Sequence, residues 1–337
     1  MDGIPLTRCQ FLIPFVDILK EIGAPSDRFL EKCRLPTSLE EKADHYVPIL
    51  SAIRFAELAR RSQGIVDFGF QAASQLHFSH LSEKIRILIG HSPTLLVALQ
   101  HVCKWASIED TILSMWLEPC GDRMRICSKL LRTEGLPHLE HSQWLQLVFP
   151  IYIVRHFAGS HWNPATIAFE ARYMPTRETQ ALWPHSRFLS NQHASWIDVP
   201  VSHLGLPAPP SEIPVPTDAG EDGPSGYEIA QSLKLMLPSY LDEGVPALAE
   251  IAEMAGLSAR SFQRRLSLAG LSYSDLVEAA RFENASKRLR DTDDKIIEIA
   301  FSSGYADHAH FTRAFRRMAG LTPRHFREQS RLRPESG

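Results

Sequence analysis

Two short stretches near the C-terminal end of the chain carry polar side chains at a spacing suited to reading nucleic acid. In "LSARSFQRRL" Arg260, Gln263 and Arg264 stand at i, i+3 and i+4, so a helix presents them on one face while Phe262 and Leu266 turn the other way. In "ADHAHFTRAFR" His308, His310, Arg313 and Arg316 fall outward and Phe311 and Phe315 inward. The chemistry on offer is hydrogen bonding to base edges: a guanidinium fork matches guanine in the major groove, and a carboxamide matches adenine. Helix N-termini, hydroxyls and cations hold phosphates, which makes Ser258, Lys295, Arg316 and Thr322 the candidate phosphate contacts.

The elements that must position these faces recur in the same order. An Ile-Ala pair followed four residues after the Ala by Gly occurs at Ile251-Ala252/Gly256 and again at Ile299-Ala300/Gly304. The pattern predicts a positioning helix over Ala247–Ala255, a left-handed turn at Gly256 and a recognition helix capped by Ser258. A long linking helix, Ser272–Arg290, packs through Leu276, Val277, Ala280, Ala285 and Leu289. Asp293 or Asp294 caps the next helix, Gly304 ends it, Asp307 caps the second recognition helix, and Thr322-Pro323 starts a last one. A helix over Tyr227–Leu241 precedes the whole. One such match would leave a plain helical bundle as the better reading. Two copies with matching caps, inward aromatics and outward arginines favour a doubled helix-turn-helix that binds double-stranded DNA, its recognition helices reaching successive major grooves about 34 Å apart with some bending of the duplex.

Charge agrees in its distribution, not in its sum. The formal net charge is −3, yet Ser258–Arg333 holds fifteen Lys and Arg against nine Asp and Glu, and Phe311–Arg333 seven Arg against one Glu. Phosphate neutralisation needs such a concentration, although a charge run is more often a solvated face.

With 337 residues the chain is long enough for two domains. Up to about Glu109 the periodicity is helical: "CQFLIPFVDILKEIG" stops at Gly23, a short helix follows over Pro25–Cys33, and "PILSAIRFAELARRSQG" stops at Gly64. Ser92-Pro93 is expected to cap and start another helix. Thr111–Leu117 and Arg123–Leu130 then read as strands joined through "EPCGD", an apolar helix ends at Gly159, and Thr166–Glu170 and Trp196–Val199 read as further strands. The expected fold is an α+β N-terminal domain joined to an all-α C-terminal domain with two helix-turn-helix subdomains linked by a long helix. The boundaries are 1–204 for a sensing or dimerisation domain, 205–226 for a Pro/Gly-rich linker and 227–331 for the DNA-binding domain.

Several classes fall away. The longest apolar run, Leu147–Val154, is far below the ~18 to 20 residues of a membrane span, and no basic n-region marks a signal peptide, so a cytoplasmic protein with no membrane partner is expected. Cys9, Cys33, Cys103, Cys120 and Cys127 are scattered and odd in number, which argues against a disulfide framework. His77/His80 and His138/His141 could share helix faces but lack a Cys or acidic cluster at ligand spacing, so no metal and no cofactor are expected. There is no catalytic triad or phosphate loop, and an alkyl-accepting repair enzyme fused to a DNA-binding unit would need four clustered cysteines.

The stretches "IAEMAGLSARSFQRRL" and "IIEIAFSSGYADHAHFTRAFRRMAGLTPRHFR" resemble the DNA-binding domain of the AraC/XylS family of bacterial transcription regulators, over roughly Tyr227–Arg331. The resemblance implies a seven-helix fold whose base contacts, carried over by position, fall on Arg260, Gln263 and Arg264 and on His308, Ala309 and Arg313. Two departures matter. The first copy is one residue shorter before Gly270 than the commoner form, with Phe262 where a related sub-branch has Leu, and Ala309 has no side chain to hydrogen-bond. The N-terminal part is more loosely similar to the helical arabinose-binding-type effector domain of that family, through "GHSPTLLVALQHV" and "SNQHASWIDVPVSHLGLP". That similarity implies a small-molecule effector, homodimerisation, or both, and no effector-binding residues can be named. The expectation is thus a sequence-specific transcription regulator, an activator working with RNA polymerase. A DNA-binding adaptor controlled by a protein partner stands as the alternative, with a fused enzyme behind it.

Overall fold

The structure is a computed structural model that describes residues 3–133, 135–209 and 229–332. Two compact units divide the chain, one of Pro5–Ser225 and one formed chiefly by Gly226–Gly337.

The first unit opens with β1 (Leu6–Arg8), then α1 (Ile13–Glu21), α2 (Ser26–Lys32), β2 (Tyr46–Pro48), α3 (Ile49–Gln63), α4 (Phe68–Gln75), α5 (Glu83–Gly90) and α6 (Leu95–Trp105). Strands β1 and β2 pair antiparallel, an element the helical reading of this region missed. The Arg8 guanidinium, buried beside β1, donates to Glu109 at 2.8 Å and also to Asp44. Helix α6 is capped by Thr94, whose hydroxyl oxygen accepts the Val97 N–H at 3.5 Å, and not by the expected Ser92. Ser92 instead donates its hydroxyl to the Leu88 carbonyl at 2.7 Å, which takes it out of capping competition.

Strands β3 (Leu113–Cys120) and β4 (Arg123–Leu130) form the expected hairpin, but the turn is only Gly121-Asp122, because Cys120 already pairs with Arg123. Gly121 supplies φ +63°, which a two-residue hairpin turn requires. After α7 (Glu140–Ala158) come β5 (Thr166–Ala168), α8 (Arg177–Ala181), β6 (Arg187–Leu189) and β7 (Ser195–Pro200). The sheet runs β3-β4-β7-β5-β6, antiparallel except for the β5/β6 pair. One face, with Ile126, Ile167 and Ile197, joins Leu147 and Ile151 of α7 in the main core. The other buries Cys127, Ala168 and Trp196 in a second, small cluster. Burial on both faces explains why β4 does not alternate cleanly in exposure, Ile126, Cys127 and Ser128 all being buried.

Leu206 and Leu204 accept the N–H groups of Leu95 and Leu96 at 3.0 Å, which ties the chain just past 204 to the start of α6. Residues 210–226 of the expected linker lie outside the described residues.

The second unit is all helical: α9 (Ile229–Met236), a 3-10 turn at Leu237–Tyr240, α10 (Leu248–Met254), α11 (Ala259–Leu268), α12 (Tyr273–Asp291), α13 (Ile296–Ser302), α14 (His308–Ala319) and α15 (Pro323–Leu332). Helix α12 packs on α9 at one end and on α13 and α15 at the other, so it belongs to both helix-turn-helix copies. Residues 227 and 228 of the expected first helix lie outside the described residues.

Candidate nucleic-acid interface

The two copies are built alike from their caps upward. The positioning helices α10 and α13 begin at Ala247 and Lys295, neither of which has a capping side chain. In each, the glutamate three residues on reaches back, Glu250 accepting the Ala247 N–H at 2.8 Å and Glu298 the Lys295 N–H at 3.1 Å. Asp293 and Asp294 are therefore not the cap of α13. Asp294 is held by Arg288 at 2.7 Å, which keeps its carboxyl below the usual carboxylate range, and Asp293 takes Arg331. Ala252 and Ala300 are fully buried, so each positioning helix can lie close to its recognition helix.

The turns are Gly256 at φ +68° and Gly304 at φ +79°. Ser258 then caps α11, its oxygen accepting the Ser261 N–H at 3.2 Å while its hydroxyl donates to Ser261 Oγ at 2.9 Å. Asp307 caps α14 by accepting the His310 N–H at 2.7 Å, and that bond holds its carboxyl below the usual carboxylate range. Phe262 and Leu266 in α11, and Phe311 and Phe315 in α14, are buried as the spacing predicts.

The opposite faces are open. Arg260, Gln263 and Arg264 on α11, and His308, Ala309, His310, Arg313 and Arg316 on α14, are exposed. The His310 ring is not wholly turned outward: it meets the edge of Tyr305 at 5.6 Å, and the Arg281 guanidinium lies over that same tyrosine at 5.4 Å. Among the described residues, the side chains of Arg260, Gln263, Arg264, Arg313 and Arg316 have no hydrogen bond or ion pair within the chain.

Many of the other cations are spent internally, which the charge run alone did not reveal. Arg317 pairs with Glu278 at 2.7 Å and Arg324 with Glu328 at 3.1 Å. Arg327 donates to the Asp294 carbonyl at 2.7 Å, and Arg331 reaches Asp293. Of the candidate phosphate contacts, Arg316 is free, while Lys295 stands 3.8 Å from Glu298 and Ser258 and Thr322 serve as caps. Lys287 and Arg290 on α12, which the sequence reading passed over, are exposed and unpaired among the described residues.

Comparison with known proteins agrees with this geometry. A helix-turn-helix domain profile matches residues 251–329, and the profile of the arabinose-binding domain of AraC transcription regulators matches residues 23–188. The HTH-type transcriptional regulator VirS of Mycobacterium tuberculosis is 23% identical over 332 residues, covering 96% of each chain. The chain belongs to the AraC family of transcription regulators. Within that family, the HTH-type transcriptional activator RhaS of Escherichia fergusonii is 39% identical over 79 residues, 23% of this chain and 28% of that one. The crystal structure of the transcriptional regulator CdpR from Pseudomonas aeruginosa aligns over 90% of this chain and 96% of that one, with 15% identity and a TM-score of 0.39.

The arabinose-binding-type unit of this AraC-family chain has two surface clefts that share Arg61 and the 136–138 loop. One, of about 980 Å³, includes Arg60, Asp67, His141, Trp144 and Tyr173 in its lining. The other, of about 610 Å³, is mostly apolar, with Leu50, Ile53, Leu58 and Pro137 beside Arg54 and Glu57. Glu57 stands between Arg60 at 2.8 Å and the rings of His138 at 3.4 Å and His141 at 3.6 Å. Burial works against its charged form, but these cationic and donor neighbours prevail and hold its carboxyl below the usual range. Among the described residues no helix is long and apolar enough to cross a membrane.

Proposed function

We propose that this AraC-family regulator reads its operator with both recognition helices. Arg260, Gln263 and Arg264 contact bases in one major groove, and His308 and Arg313 do so in the next, with Ala309 closing on a base edge by apolar contact. Arg316 anchors phosphate, with lesser contributions from Ser258, Lys295 and Thr322. The observation that carries the reading is that Arg260, Gln263, Arg264, Arg313 and Arg316 are exposed and unpaired among the described residues, while Arg317, Arg324, Arg327 and Arg331 are held in internal contacts. A basic face kept free of internal partners is what base and phosphate contact requires.

The wider proposal places a sensing unit over 1–204, a connection over 205–226 and the DNA-binding unit over 227–331. The sensing unit takes a small effector in the clefts beside α3 and pairs with a second copy. The protein acts as an activator of RNA polymerase in the cytoplasm and catalyses no reaction of its own. RhaS is an activator by name, and the arabinose-binding-type profile over residues 23–188 supports an effector.

Purified protein should bind its own upstream region far more tightly than random DNA at equal salt, and equal affinities and salt slopes would sink the specific reading. Arg264→Ala and Arg313→Ala should each cost about 1 to 3 kcal/mol on the specific site and relax base preference at one position, whereas Arg316→Ala should weaken all sequences alike and lower the salt slope by about one. A thermal-shift screen of metabolites on the full chain checks the sensing half.

A further inference from the structure

We propose that Glu118, Cys127 and His193 form a binding site for a divalent transition-metal ion of the zinc type. The three are far apart in sequence, and pairwise inspection of His spacing does not find them. The sheet brings them together. Trp116 of β3 pairs with Cys127 of β4, so Glu118, two residues along β3, lies on the same face as Cys127 and diagonal to it. Cys127 also pairs with Trp196 of β7, and His193 sits three residues earlier in the segment that leads into that strand.

The result is that the Cys127 sulfur, a Glu118 carboxylate oxygen and a His193 ring nitrogen all lie within 4.8 Å of one another. Glu118 Oε2 and His193 Nε2 are 3.5 Å apart. That exceeds a good N–H···O hydrogen bond, about 2.7 to 3.2 Å. It is close to the separation of two ligands that each stand about 2.0 to 2.2 Å from one ion at a tetrahedral angle, roughly 3.4 Å.

The surroundings orient the ligands. The Arg125 guanidinium donates to Glu118 Oε1 at 3.0 Å, which fixes the carboxylate and leaves Oε2 turned to the histidine. Lys129 Nζ donates to the His193 carbonyl at 3.4 Å and pairs with Glu170 at 2.8 Å, holding the segment from below. The His193 ring is backed by Trp116 at 6.5 Å. Fixing of ligands by their outer partners is a general property of metal sites.

The donor set matches the ion. One thiolate and one carboxylate carry two negative charges, which a dication neutralises, and a sulfur, an imidazole nitrogen and an oxygen suit zinc better than the hard cations calcium and magnesium. On binding, the Cys127 thiol gives its proton to solvent and the sulfur lone pair forms the bond to the ion, with water filling the fourth position. Such an ion clamps the segment before β7 onto the β3–β4 hairpin.

The test uses the reduced full-length chain titrated with Co2+ as a spectroscopic stand-in, followed by Zn2+ competition. The expected result is a near-ultraviolet sulfur-to-cobalt band that saturates at one ion per chain and disappears as Zn2+ is added. Cys127→Ser should abolish the band, and Cys120→Ser, which alters the exposed cysteine at the hairpin tip, should leave it intact. Because Cys127 is buried, His193→Ala serves as a second variant on an exposed residue and should weaken binding by at least the roughly 10- to 100-fold that losing even an outer partner costs. No band, a band lost equally in Cys120→Ser, or unchanged binding in His193→Ala overturns the proposal.

Discussion

Glycines at the two turns look interchangeable in the repeat, and their neighbours make them unequal. Both adopt a positive φ that costs an L-residue about 1 to 2 kcal/mol. At Gly256 a Cβ would meet nothing within 4 Å, so strain is the whole penalty. At Gly304 the same Cβ would lie 2.5 Å from the Leu241 carbonyl oxygen, a backbone atom that cannot swing aside. Gly256→Ala should therefore lower stability by about 1 to 2 kcal/mol, and Gly304→Ala by roughly twice that or more, because a backbone shift is added to the strain. Urea unfolding followed through the helical signal checks this, and equal losses would mean that the contact at Leu241 is not formed. The carbonyl lies just past the 3-10 turn Leu237–Tyr240 that follows α9, so this glycine is one of the places where the second copy meets the first.

Helix caps decide how each element meets an anion. The first recognition helix starts at Ser258, a neutral cap, and the second at Asp307, whose charge occupies the helix N-terminus that a phosphate would otherwise use. The Asp307 carboxyl is held below its ordinary value in the folded chain, so the stability it contributes is fully present above the unfolded pKa of about 4 and is lost as pH falls through the lower folded value. Asp307→Asn keeps a cap acceptor without titrating. The melting temperature of the Asn variant should thus gain on the parent between about pH 7 and about pH 3, and a constant gap would show that the cap does not form. Caps carried by the cap residue itself, Ser258 and Asp307, were legible in the sequence, because they act over three residues. The start at Ala247 was legible but its glutamate cap was not, and the start at Lys295 was misplaced onto Asp293 or Asp294, since in both a glutamate three residues later does the capping. Strands β1 and β2 were missed because three residues give no period and their pairing spans some forty positions. The same distance effect hid how the arginines are used: Arg327 and Arg331 find their partners 33 and 38 residues back, which no local pattern can show.

At the scale of the DNA-binding unit, the doubled motif was plain in the sequence, but its rigidity was not. Helix α12 is shared by both copies, Arg317 of α14 pairs with Glu278 of α12 at 2.7 Å, and Tyr273 at the start of α12 donates to the Pro246 carbonyl at 2.6 Å. With the Gly304–Leu241 contact, these hold α11 and α14 at one separation instead of letting each find its groove alone. A rigid pair of readers fixes the spacing of the two sequences it reads, whereas a flexible pair tolerates insertions at the modest entropic cost of a longer tether. Inserting five base pairs between the two contacted segments, about half of a ~10.5-base-pair turn, moves the second groove to the far side of the duplex. Affinity for the inserted operator should fall at least as far as with Arg313→Ala on the intact one, since His308 loses its contact too, and combining the insertion with Arg313→Ala should cost nothing further, because α14 has already lost its base contacts. Inserting ten base pairs restores the face but not the distance, so it should fail as well. Binding that survives either insertion, measured by titration at fixed salt, would show that the two helix-turn-helix copies move independently.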